Sequence, residues 1–249
     1  MPVRYWRNLP EAQLISELVQ EAGKRTDAMI ERRPSELDLF ATAPAAPAGE
    51  DGRFETLDAC YAALLKNDRP PSDVFADRIV RGEGPLSPVL MFVGEQPGDQ
   101  EDLEGRPFVG PAGQLLDKCL REAGISREEC FMTNAVKRFK FLPRGKRRIH
   151  QTPIAGDVAH YRWWLAEEVR LVAPKLIVSL GATALHALTG RKQALGPVRG
   201  AVMTGEGGAL LATVHPSYLL RLSDQQAREI ERGKFLRDLK KALEAVRQD

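Results

Sequence analysis

Cysteine is scarce in this chain. Only Cys60, Cys119 and Cys130 occur among its 249 residues, widely spaced and without a Cys-x-x-Cys pair, which argues against both a disulfide framework and a cysteine-rich metal site. They are expected to be reduced and buried. No apolar run approaches the roughly 20 residues that span a bilayer, and the first residues, with Arg4, Arg7 and Glu11, lack the apolar stretch of a secretion signal. A soluble, cytoplasmic protein is therefore expected. Net charge is also nearly absent, +2 from 36 basic and 34 acidic residues, so any affinity for a polyanion must rest on where positive charge is gathered. No Gly-x-Gly-x-x-Gly or Walker-type loop follows any apolar run, which disfavours an ordinary nucleotide-binding domain. Apolar residues, by contrast, make up 43% of the chain, ample for a core.

Leu14, Ile15, Leu18, Val19, Ala22, Met29 and Ile30 recur at helical spacing near the N-terminus, and the Ala-, Pro- and Gly-rich stretch from Ala41 to Gly52 reads as a linker. Residues 1–52 are thus read as an extension and 53–249 as the main domain. A short helix is expected over Phe54–Lys66. From Pro88 onward, apolar runs at Val89–Val93, Cys130–Thr133, Leu176–Leu180 and Leu210–Val214 predict buried strands. Helices are expected between or after them, over Gly113–Ala123, Ile154–Val172, Ala182–Leu188 and Asp224–Val246. Alternating strands and helices imply right-handed crossovers. The fold class is α/β, three αβα layers around a central, mainly parallel four-stranded sheet.

Positive charge is concentrated in Lys137–His150, which holds seven Lys or Arg residues and no acid. Phe139, Phe141 and Leu142 interleave the charges, a pattern suited to phosphates and bases; a solvated basic loop is the plain alternative. Each predicted strand also runs into an unusual polar segment: Gly94-Glu-Gln-Pro-Gly-Asp99, Asn134, Gly181-Ala-Thr183 and His215-Pro-Ser217. Ligands bind outside the carboxyl ends of strands in open parallel sheets, so these segments are expected to share one mouth. Pro216 keeps His215 out of the α region and stiffens its presentation. Phe108, in a turn-rich loop, is placed to stack on a base or to anchor the loop. His160 and His186 fall inside helical segments and read as structural.

Together these residues resemble the uracil-DNA glycosylase superfamily, with Gly94-Glu-Gln-Pro-Gly98 as its first motif and His215-Pro-Ser217 as its second. Gly105-Arg-Pro-Phe-Val-Gly-Pro-Ala-Gly113 and Thr133-Asn-Ala-Val-Lys137 lie between them in the order the superfamily requires. Lys146-Arg-Arg-Ile-His150 and the extended first motif through Asp102 resemble the UdgX type. The likeness spans about residues 78 to 240. Residues 1 to about 33 look like the tail of a domain of unknown function often fused upstream.

The resemblance implies excision of uracil from DNA on a nucleotide flipped out of the stack. Asn134 would read the uracil edge, Phe108 would stack on the base, and the turn around Gln96 and Gly98 would hold it from the other side. His215 would stabilise charge on uracil O2, while Glu95 and Asp99 would face the sugar or orient a nucleophile. Lys137, Lys140, Lys146, Arg147, Arg148, Ser217 and Arg221 would contact DNA, with Tyr218–Arg221 entering the vacated position. In the UdgX type the histidine of the basic loop, here His150, attacks C1′ and stays attached. The expected partner is uracil-containing DNA, single-stranded, bound by a monomer. Two other readings are a multiple-turnover glycosylase using water and a non-catalytic binder of damaged strands.

Similar proteins of this group carry an iron–sulfur cluster, which needs about four Cys or His ligands. Here Cys60 and Ala63, or in another register Asn67 and Pro70, stand where a Cys-x-x-Cys pair would, and Arg138 and Tyr161 occupy the two downstream ligand positions. No metal and no cofactor is expected.

Overall fold

The computed structural model describes residues 53–72, 74–205 and 208–247; the expected N-terminal helix and linker lie outside them. In chain order the elements are α1 (Leu57–Asn67), β1 (Leu90–Gly94), α2 (Asp99–Glu104), α3 (Pro111–Ala123), β2 (Cys130–Asn134), β3 (Phe141–Arg144), β4 (Arg147–His150) and α4 (Ala155–Val172). There follow β5 (Leu176–Leu180), α5 (Ala182–Thr189), β6 (Val202–Gly205), β7 (Gly208–Thr213), α6 (Pro216–Arg221) and α7 (Gln225–Arg247). Helix starts follow local chemistry. Thr56 caps α1 through its hydroxyl, and α3 begins with Pro111 at its first position and ends at Gly124, whose φ is 75°.

The four expected strands form the parallel part of a sheet in the order β2-β1-β5-β7-β6. The fifth strand, β6, pairs antiparallel with β7 at the edge; having one neighbour and an exposed Val202, it shows no continuous apolar run that would betray it in the sequence. Successive strand residues point to opposite faces. Met91, Val93, Phe131 and Ile177 accordingly meet α1, α4 and α5 on one side, while Leu90, Phe92, Met132 and Val178 meet α3 and α7 on the other. All three cysteines are free and buried.

The basic segment is not a loop. β3 and β4 form an antiparallel hairpin pairing Phe141 with His150 and Arg144 with Arg147, turning at Gly145 with φ of 59°. Pro143 and the dense charge hide it in the sequence, although proline is tolerated in such an edge ribbon.

Lys137, expected on the DNA side, is instead fully buried. The chain doubles back after Asn134, so its Nζ donates to Thr133 Oγ1 at 2.8 Å and pairs with Glu168 Oε2 at 2.7 Å. Thr133 Oγ1 donates to Glu168 Oε1 at 3.0 Å, and the Tyr61 hydroxyl donates to the same carboxylate while accepting from Gly82 N at 2.9 Å. Burial and the Glu168 charge hold the Tyr61 phenol well above its ordinary pKa, so it remains a donor. Lys140 is likewise buried against Asp157. Removing one partner of a buried pair strands the other charge in a low-dielectric interior. Lys137→Met is therefore expected to lower stability in urea denaturation by about 3–5 kcal/mol, and adding Glu168→Leu to restore much of it.

Candidate active site

The strand ends do converge. Gly94 ends β1 directly opposite Asn134 at the end of β2, and a Cβ on Gly94 would lie 2.3 Å from Asn134 Oδ1 and 2.7 Å from Phe108 Cζ. Only glycine allows that approach. Beyond it, Glu101 on α2 staples two turns: Oε2 accepts from Gly98 N at 3.1 Å and Oε1 from Gly110 N at 3.0 Å. Phe108 sits between them with φ of 56°, a left-handed conformation that costs a bulky residue about 1–3 kcal/mol. It is held there by Arg127, which donates to the carbonyls of Pro107 at 2.9 Å and Phe108 at 3.2 Å. Gly113 of α3 presses on the same backbone, leaving no room for a Cβ. The sequence alone singles out neither Glu101 nor Arg127, because each acts through backbone groups of distant turns.

These turns enclose a cleft of about 660 Å³. Its lining includes Glu95, Gln96, Gly98, Asp99, Phe108, Asn134, His150, His215, Ser217 and Arg221, ten of the fifteen residues expected to serve the site. The Phe108 ring lies nearly parallel to the His215 imidazole, 27° between planes and 6.3 Å between centres. Asn134 is buried, and its amide lines the cleft without a side-chain hydrogen bond to another described residue.

His215 has a defined protonation state. Its Nδ1 accepts from Ser217 N at 3.2 Å and lies 2.8 Å from Ser217 Oγ, which in turn accepts from Arg221 at 3.1 Å. With donors on Nδ1, the proton resides on Nε2. Burial, with Arg221 and His150 nearby, pushes the imidazole pKa down to about 4. The neutral ring is thus a hydrogen-bond donor near pH 7, suited to a developing oxyanion.

His150, half exposed at the end of the hairpin, faces Glu95, with Nε2 3.5 Å from Oε1. The other carboxylate oxygen, Oε2, accepts from Thr183 Oγ1 at 2.7 Å. Gln96 lines the cleft, but its side chain is engaged by the hairpin rather than free for a base. It donates to the carbonyls of Lys140 at 3.3 Å and Gln151 at 3.1 Å and accepts from Lys140 N at 3.2 Å.

The remaining basic residues divide by register. Arg148, on the inward face of the hairpin, pairs with Asp99 and Asp102 of α2 and lies 5.3 Å from the ring centres of both Phe139 and Phe141. It latches the hairpin down instead of facing DNA, and it occupies Asp99 as well. Lys146 and Arg147 remain exposed at the tip with Arg144. Among the described residues none of these three side chains has a hydrogen-bond or ion-pair partner.

The donor set does not fit an iron–sulfur cluster. Burial lifts the Cys60 and Cys130 thiols to about 12, Cys119 and Cys130 lie in a different core cluster from Cys60, and no group of three or more His, Cys, Asp or Glu suited to a metal occurs among the described residues. Arg138 and Tyr161 instead converge on buried Asp68: Arg138 pairs with it, the Tyr161 hydroxyl donates at 3.1 Å, and His160 Nε2 lies 2.7 Å away. No helix among the described residues is long and apolar enough to cross a membrane.

The fold is three-layer α/β with its cleft at the carboxyl ends of β1, β2, β5 and β7, where open parallel sheets hold their ligands. The family model described as the uracil DNA glycosylase superfamily matches residues 81–243, and the chain belongs to that superfamily. It is 40% identical over 199 residues to the type-4 uracil-DNA glycosylase of Thermotoga maritima, covering 79% of this chain and 98% of that protein. The type-4 enzyme of Pyrobaculum aerophilum is 37% identical over 185 residues, 71% of this chain and 88% of that protein. That of Saccharolobus solfataricus is 34% identical over 149 residues, 58% and 66%.

The state of His215 is open to direct measurement. In a pH titration followed by NMR of the imidazole nitrogens, His215 should carry its proton on Nε2 and titrate near 4. A midpoint near the ordinary histidine value of about 6.5 would contradict a buried neutral ring. Because the unfolded chain takes up this proton at higher pH than the folded one, stability should fall as pH drops from about 6.5 toward about 4.

Proposed function

We propose that this protein excises uracil from DNA and captures the resulting sugar covalently through His150. The observation that carries the reading is the pairing of His150 with Glu95 at 3.5 Å in the cleft that also holds Asn134, Phe108 and His215. Asn134, with an uncommitted amide, reads the O4 and N3–H edge of uracil, a pattern cytosine inverts. Phe108 stacks on the extruded base. As the C1′–N1 bond breaks, its electron pair leaves on uracil, and the Nε2–H of His215 stabilises the charge gathering at O2.

A ring nitrogen of His150 donates its lone pair to C1′, forming the new N–C bond. The proton on its other nitrogen passes to Glu95, and the uracil anion takes a proton from the medium. An N-alkylated imidazole is a poor leaving group, so the adduct persists. The latched hairpin supports this reading by tying His150 to the site through Gln96 and Arg148. The reading involves no cluster, and it is supported by the engagement of Arg138 and Tyr161, which stand at two ligand positions of the resemblance, with Asp68. Purified protein should contain no stoichiometric iron.

Single-stranded DNA is the substrate the hairpin favours. Its outward face pairs exposed Leu142 with Ile149 and Arg144 with Arg147, offering apolar surface to unpaired bases beside cations for phosphates.

After incubation with a uracil oligonucleotide and boiling, a denaturing gel should show protein and DNA migrating together, and His150→Ser should abolish that band. Free abasic product without a shifted band would favour multiple turnover by activated water. Binding with neither adduct nor uracil release would favour a non-catalytic binder. Replacing Arg144 and Arg147 with alanine should reduce the slope of log affinity against log salt, by about 0.7 for each single-strand phosphate that is no longer neutralised.

A further inference from the structure

We propose that Thr183 is a positioning residue for this reaction, setting the Glu95 carboxylate so that it faces His150; this rests on the reading of Glu95 and His150 above. β1 and β5 are adjacent and parallel, with Val93 opposite Ser179, so the segments leaving their carboxyl ends must run side by side. Glu95 follows β1 directly. The chain leaves β5 through Gly181, whose φ of 94° starts α5 immediately, and Thr183 enters on the first turn of that helix. A Cβ on Gly181 would be 3.4 Å from His215 Cβ, so this helix start is fixed against the second motif as well.

Early in a helix a threonine hydroxyl ordinarily serves nearby backbone. Here it donates across the sheet mouth to Glu95 Oε2 at 2.7 Å. The Glu95 backbone is anchored too, its carbonyl accepting from Val136 N at 3.0 Å. With one oxygen engaged, rotation of the carboxylate is restricted, and Oε1 is left facing His150 Nε2. This is the logic of an orienting third group behind a base and its nucleophile. Thr183 touches no reacting atom, so its effect passes entirely through Glu95.

The test is a double-mutant cycle read in single-turnover kinetics. Thr183→Val keeps the shape and removes the hydroxyl. It should slow adduct formation by about ten- to a hundredfold, the rate equivalent of one hydrogen bond to a charged acceptor, with an unchanged urea midpoint and unchanged affinity for the oligonucleotide. Thr183→Ser should return the rate to near that of the parent. On a Glu95→Ala background, Thr183→Val should have no further effect. Parental speed in Thr183→Val overturns the proposal, as does an equal loss on the Glu95→Ala background or failure of serine to rescue. If the parent releases uracil without an adduct, the covalent reading fails by itself. The same cycle scored on uracil release then still decides whether Thr183 acts through Glu95.

Discussion

The site depends on one constraint of register: β1 runs between β2 and β5 and ends in a glycine. Gly94 opposite Asn134 lets an amide and an aromatic ring close on the strand end without a Cβ between them. β5 on the other side brings Thr183 to the next residue, Glu95. A one-residue slip would turn every strand side chain to the opposite face, burying what must line the cleft. The two apolar clusters, one on each face of the sheet, are therefore as much a part of the site as the residues that line it.

Charge is sorted just as strictly. A run of cations would repel itself as a simple surface loop, yet the fold assigns its members different environments. Lys137 and Lys140 turn inward to Glu168 and Asp157, Arg138 to Asp68, and Arg148 to Asp99 and Asp102. Arg144, Lys146 and Arg147 are left at the tip. A buried ion pair adds little net stability compared with apolar packing but is costly to break. Here such pairs fix where the hairpin begins and how it lies, and His150 follows from that placement.

Much of the architecture was legible in the sequence because buried parallel strands are continuous apolar runs and their helices carry proline and glycine at their ends. The cleft was legible too, since strand carboxyl ends mark it. What escaped were elements whose partners lie far along the chain. Lys137 reads as surface charge until Glu168, on a helix more than thirty residues away, is placed beside it. Gln96 reads as a base contact, whereas its amide is consumed by backbone of the hairpin. The hairpin itself shows no alternating pattern, because its inward face is carried by Arg148 over two phenylalanines in place of an aliphatic stripe.

Under the proposed function, the hairpin bears on whether the cleft turns over or captures its product. If Glu95 and neutral His215 act as proposed, the fate of the sugar cation depends on which nucleophile stands nearest C1′. Water must diffuse in and be oriented anew each time, whereas an imidazole held by a strand is present at an effective concentration no solvent reaches. Gln96 binds the base of the hairpin and Arg148 its middle, so the imidazole at its end is constrained from two directions. On the proposed reading, the hairpin's latch, rather than the chemistry of histidine alone, is what would separate a trap from an enzyme that turns over.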